Sequence, residues 1–337
     1  MFSHIKAFST TGIGSFPHAN AEDACELVLR TFDIPFWPQL PNISFRESMI
    51  AQYSEGMPYL KVDERKESVW LMRDESDELD RFYESCTEDS RIAVSEDYAR
   101  GLHTFLKVIK GRRFKLLKGH VTGPVTFTLG LKDNNGRLIY FDEELREIAS
   151  MLLKAKMRWQ IDVLKQHADE VIIFIDEPIL SALGSSSYLG VDAGEAFRLI
   201  TDMASAITEA GGISAVHCCG RADWPLVINC GVKIINFDAF GFFDTLAIYH
   251  EQLRNFLGGG GYLAWGIVPT TDIIERVDDS QLIELMHAHI DDLCKYIPSE
   301  LVKGNILLTP SCGTGSRSVE ETTKICQLLI RLKEALA

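Results

Sequence analysis

Long apolar runs are missing from this chain of 337 residues. No uncharged stretch reaches the ~18–20 residues that a membrane-crossing helix needs. The opening, MFSHIKAFSTTGIGSFPHAN, has neither an apolar signal core nor a small-residue cleavage site. The expectation is a cytoplasmic protein with no membrane partner. Positive charge is also short: 34 basic residues face 48 acidic ones, for a formal charge of −14. No block of Lys or Arg overrides that average, and such a field repels phosphate backbones, so nucleic acid is excluded as an expected partner. Fixed-period repeats and low-complexity segments are absent, which excludes solenoid and fibrous classes. Cysteine is sparse, at positions 25, 86, 218, 219, 230, 294, 312 and 326, without the spacing of a small disulfide scaffold. Free thiols in a reducing compartment are the default, with a metal site as the alternative. What remains is ordinary globular composition, 46% apolar and 24% charged, long enough to bury a core without staples.

The length fits two domains or one barrel with insertions. Short apolar runs alternate with helical stretches. Eight runs read as strands: 9–15, 35–40, 114–120, 170–176, 213–219, 232–238, 262–268 and 305–311. Helical patterning lies between them, as at 142–167, 194–210, 244–257, 280–296 and 318–336. Such alternation argues for a parallel sheet, and eight strands argue for a closed (β/α)8 TIM-type barrel comprising the whole chain, 1–337, as one domain. Barrels carry their chemistry after the C-terminal ends of the strands. Those ends hold Ser15, His120, Asp176, Cys219, Asp238 and Cys312. Residues 54–110 break the alternation: YLKVDERKESVWLMR reads as a hairpin, with helices near 76–86 and 95–110. The expectation is an inserted hairpin and helices covering the mouth.

The sharpest local signal is A-V-H-C-C-G at 215–220. Side chains two apart on a strand share a face, so His217 and Cys219 point together and Cys218 away. An imidazole and a thiolate are ready zinc ligands. Cys312 in T-P-S-C-G-T-G and Asp238 in I-I-N-F-D-A-F stand at two further strand ends. An N/S/S/O set suits Zn²⁺. The competing reading is that these cysteines are small buried hydrophobes and His217 a satisfied core residue.

Five segments in order resemble the catalytic barrel of cobalamin-independent methionine synthase: T-T-G-I-G-S-F-P (10–17), H-V-T-G-P-V-T (120–126), F-I-D-E-P-I-L (174–180), H-C-C (217–219) and T-P-S-C-G (309–313). The resemblance implies a TIM-type barrel with a catalytic zinc at its mouth. It also implies methyl transfer to the thiol of homocysteine in methionine biosynthesis. It implies His217, Cys219 and Cys312 as zinc ligands, with Asp238 where the family has a fourth ligand, Glu. It implies Ile13, Gly14 and Ser15 as the loop for the acceptor's α-carboxylate and Asp176 as the acid for its ammonium. F-R-E-S-M-I-A-Q-Y (45–53) is similar to the segment that supplies a second acid, which makes Glu47 a substrate residue, with the alignment slipping by one position.

Two departures bear on the methyl donor. The family's usual chain has two barrels, and this length holds only the catalytic half; the other half helps hold the folate. The family's D-I-H-S segment, whose His assists proton transfer to the folate leaving group, corresponds here to W-G-I-V-P-T-T-D (265–272), which has no His. Both favour a methylcorrinoid donor, as a corrinoid protein or free methylcobalamin, over methyltetrahydrofolate. H-C-C-G and P-S-C-G also resemble zinc methyltransferases that share the barrel of uroporphyrinogen decarboxylase. The acceptor is homocysteine or another small thiol. The alternatives are a uroporphyrinogen decarboxylase-like enzyme, for which the strand ends hold too little Arg, and a non-catalytic barrel that binds a metal or amino acid.

Overall fold

The computed structural model describes residues 4–74 and 76–336. Among the described residues there are ten strands: β1 (Ser9–Thr10), β2 (Leu60–Asp63), β3 (Ser68–Leu71), β4 (Phe114–Thr122), β5 (Lys132–Asp133), β6 (Ala168–Asp176), β7 (Ile213–Cys218), β8 (Ile234–Phe237), β9 (Tyr262–Val268) and β10 (Ile306–Pro310). Seven of them form one curled sheet in the order β1-β10-β9-β8-β7-β6-β4, and every pairing in it is parallel. Parallel strands need long crossovers, and helices such as Glu143–Lys165, Ala193–Glu209 and Asp279–Cys294 supply them, while Val319–Leu336 follows the last strand. The predicted stretch 244–257 is instead two helices, Ala239–Ala247 and His250–Gly258.

The strands alternate between two apolar environments. On the outer face Leu117, Val121, Ile173, Ile175, Val216, Ile235 and Leu308 join the core under the helices. On the concave face Leu116, Ile172, Phe174, Ile213, Ala215, Ile234, Ala264 and Leu307 form a second cluster of their own. The period of two carries that concave face on through Lys118, His120, Thr122, Asp176, His217, Asn236 and Thr309. Its residues turn from apolar to polar toward the C-terminal strand ends, so the apolar cluster is a floor beneath a polar layer.

The eighth predicted strand, 35–40, is not a ladder strand. Pro35 and Pro38 carry no N–H, so the segment cannot donate at those positions. It makes isolated parallel bridges, Phe36 with Lys118 and Ser15 with Gln39. Ile34 N–H donates to Thr10 O, and Lys118 N–H to Pro35 O. The segment thus touches both edge strands of the sheet, β1 and β4.

The inserted hairpin forms as read: β2 pairs antiparallel with β3, and β3 takes β5 as a parallel neighbour. Residues on either side of the hairpin bond along helix Glu143–Lys165. Ile92 N–H donates to Ala155 O, Arg91 pairs with Asp162, and the buried Lys156 pairs with Glu55 at 3.4 Å. Among the described residues no helix is long and apolar enough to cross a membrane.

Candidate metal centre and its surroundings

Three of the predicted ligands come together. One ligand atom each from His217, Cys219 and Cys312 lie within 4.8 Å of one another. His217 sits at the end of β7, Cys219 directly after it, and Cys312 in the loop after β10. Cys312 is distant in sequence from the other two but shares their end of the sheet, because parallel strands place all their C-termini on the same side.

The neighbours of His217 fix which nitrogen is free. Asn236 Nδ2 donates to Ala264 O and to Thr309 Oγ1, each at 2.8 Å. Both amide hydrogens are thereby used, so Oδ1 must face His217 Nδ1, its recorded partner. Nδ1 therefore donates, and Nε2 is left with a lone pair 3.9 Å from Cys312 Sγ. A metal-binding histidine is usually oriented through its other nitrogen in this way. Asn236→Ala is expected to weaken zinc binding by ~10–100-fold, as loss of an outer partner does; competition against a chromogenic chelator measures it.

The two thiols are not equivalent. A hydrogen bond from Cys312, reinforced by His217, holds the Cys219 thiol well below its ordinary value, while the same contact and burial push Cys312 up. Burial opposes a charge on His217, but Cys219 and Asp176 beside it outweigh that and raise it. Two thiols, one of them with its thiolate form favoured, next to an imidazole are the donor chemistry that Zn²⁺ takes. These residues fit the metal.

The other predicted residues are placed as follows. Asp238 is not in the three-atom cluster. Its Oδ1 accepts from Gly241 N–H at 2.8 Å and caps helix Ala239–Ala247, and burial raises its pKa to about 6. Glu47 is fully buried, and its two oxygens accept from Leu40 N–H at 3.1 Å and Arg100 N–H at 2.9 Å. Those bonds tie the 40s loop to the start of helix Arg100–Val108 and leave Glu47 engaged with backbone. Asp176 ends β6 on the concave face; it is buried, its Oδ1 has no partner, and burial raises its pKa to about 6.

The loop Ile13–Ser15 is braced from two sides. The Lys118 ammonium donates to Ile13 O, and Gln39 N–H donates to Gly14 O at 3.0 Å. Ser15 O accepts from Thr314 N–H at 2.8 Å, and Gly315 N–H donates to Ser15 Oγ at 3.3 Å. A Cβ on Gly313 would come within 2.1 Å of Ser15 Oγ. The loop carrying Cys312 is therefore packed directly on the loop read as the carboxylate site.

The sequence reading gave Lys118 no role and placed His120 only at a strand end. Lys118 is fully buried between the rings of Phe36 and Phe174, its ammonium 5.3 and 4.4 Å from their centroids. Burial lowers its pKa to about 7. The signal available was the strand period, which puts residues 118, 120 and 122 on one face.

The fold is similar to that of a B12-independent methionine synthase from Shewanella sp. W3-18-1, solved in complex with selenomethionine. The TM-score is 0.60 at 14% sequence identity, and the match covers 98% of this chain and 97% of that chain. At that identity the likeness establishes a shared fold. A Xaa-Pro dipeptidase with methionine bound in its active site aligns over 74% of this chain and 70% of its own, at 14% identity and a TM-score of 0.31, too loose to describe a common architecture. No family model matches the chain, and no curated protein matches it.

Proposed function

We propose that this chain is a zinc-dependent S-methyltransferase that methylates the thiol of homocysteine to give methionine. The observation that carries the reading is the convergence of His217, Cys219 and Cys312 within 4.8 Å at the C-terminal ends of parallel strands. The end-to-end fold match to a methionine synthase supports it. We read the segment 35–40 as the stave that closes the sheet into an eight-stranded TIM-type barrel, and residues 1–337 as one catalytic unit of the cytoplasm.

His217, Cys219 and Cys312 would hold the zinc, and the second carboxylate oxygen of Asp238, whose Oδ1 caps the following helix, is the donor we propose for a fourth position. Zinc bound there lowers the pKa of a coordinated thiol, so that the sulfur is a nucleophile at neutral pH. The chain's own residues do the positioning. Asp176 Oδ1, free of internal partners, takes the acceptor's ammonium. The loop Ile13–Ser15, fixed by Lys118 and Gln39, takes its carboxylate. Two anchors and a sulfur site restrict the acceptor to one orientation, which is where positioning gains its rate.

The segment 265–272 has no His to protonate a leaving group. A corrinoid leaving group departs without protonation, so a methylcorrinoid is the donor this site favours. Zinc-loaded protein with homocysteine is expected to form methionine from methylcobalamin and none from methyltetrahydrofolate, read by mass spectrometry. Turnover with the folate alone reverses the donor assignment, and turnover with neither removes the enzymatic reading.

A further inference from the structure

His120 is fully buried on β4, and neither ring nitrogen has a hydrogen-bond partner. The surroundings are built to hold the ring there. It stacks on Trp37, with centroids 3.8 Å apart and planes at 27°. Gln160 Oε1 accepts from Trp37 Nε1 at 2.8 Å and from His120 N–H at 3.0 Å. Gln160 Nε2 donates to His120 O at 2.9 Å, and the Tyr53 hydroxyl donates to the same carbonyl. A Cβ on Gly14 would lie 2.9 Å from His120 Cε1 and 3.0 Å from Nδ1. The ring therefore stands against the middle residue of the Ile13–Ser15 loop, and that residue must be glycine.

Leaving buried polar atoms unpaired costs ~1–3 kcal/mol each. Here a third is close by. The β4–β6 register pairs Thr122 with Asp176 and His120 with Phe174, so Asp176, with its free Oδ1, stands one layer nearer the strand ends on the same face. Burial, with the Lys118 charge below, keeps the imidazole neutral, which gives it one donor and one acceptor. The carboxylate of Asp176 only accepts. A group that satisfies all three atoms must bring N–H donors and acceptor oxygens together in a small space. The zwitterionic head of an α-amino acid does so, and an alkyl thiol does not.

We propose that His120 is a specificity-determining residue for an α-amino-acid head group, its ring N–H donating to the carboxylate and its other nitrogen accepting from the ammonium that Asp176 also receives. The proposal rests on the methyltransferase reading for the choice of homocysteine as the amino acid.

Calorimetry tests it on zinc-loaded full-length protein, with L-methionine, L-homocysteine and 1-propanethiol as probes. His120→Phe keeps the stack on Trp37 and removes both nitrogens; His120→Leu replaces it if the Phe variant does not fold. The expected result is amino-acid binding weakened at least ~10-fold, the equivalent of one lost hydrogen bond, with 1-propanethiol unchanged. Equal amino-acid binding by wild type and variant overturns the proposal and leaves an ordered water as the partner of His120. Parallel weakening of all three probes, or no amino-acid binding by wild type, also overturns it. Methionine binding that depends on His120, without zinc-dependent thiol binding, upholds this proposal and removes the methyltransferase reading.

Discussion

Cys312→Ser is expected to abolish tight zinc binding and methyl transfer together. The hydroxyl is a poor zinc ligand beside a thiolate, and the substitution leaves only two of the three converging side chains. Loss of an outer partner alone costs ~10–100-fold in metal affinity, so loss of a sulfur ligand is expected to exceed ~100-fold. Metal analysis after gel filtration is expected to give about one zinc per wild-type chain and under a tenth of that in the variant. The change does not empty the loop around it: Thr314 and Gly315 remain bonded to Ser15. The variant should therefore stay folded, and a fold-preserved, metal-free, inactive protein is the specific outcome. A variant that retains full activity without metal would sink the ligand assignment.

The convergence of His217, Cys219 and Cys312 was legible in the sequence because its signal is local to each strand end. Alternation gives the shared direction of His217 and Cys219, and parallel topology brings Cys312 to the same side. What was not legible depends on partners that alternation does not name. Asp238 and Glu47 have the right chemistry for a ligand and an acid, yet both are engaged by backbone N–H groups, Asp238 by Gly241 and Glu47 by Leu40 and Arg100. A carboxylate near a helix start is as readily a cap as a ligand, and the sequence alone does not decide which. His120 was visible only as a strand-end residue; its missing partners and its seat against Gly14 appear with the coordinates. The segment 35–40 has strand composition, but Pro35 and Pro38 deprive it of ladder donors.

Two of the segments that carried the family resemblance, 120–126 and 174–180, owe part of their form to a clamp between them. Glu177 is fully buried. Its Oε1 accepts from Val125 N–H at 2.9 Å, and its Oε2 from Thr126 N–H at 2.7 Å and Thr126 Oγ1 at 2.6 Å. It thereby caps helix Pro124–Gly130 from the residue directly after β6. A Cβ on Gly123 would come within 2.1 Å of Glu177 Cδ, so the glycine is required by the carboxyl lying over it. Gly123→Ala is expected to expel that carboxyl and orphan buried donors at ~1–3 kcal/mol each. The predicted loss of stability is ~3 kcal/mol or more, read from the urea midpoint and slope. Glu177→Ala should cost a similar amount, because it orphans the same donors. The double variant is expected to be little worse than either single one, since both remove a single interaction. Strictly additive losses would show that the two residues act separately. The joint also reaches the metal centre, because Glu177 N–H donates to His217 O at 2.9 Å. A loosened clamp should therefore weaken zinc retention as well as stability, whereas destabilising changes in the outer helices should leave the metal in place.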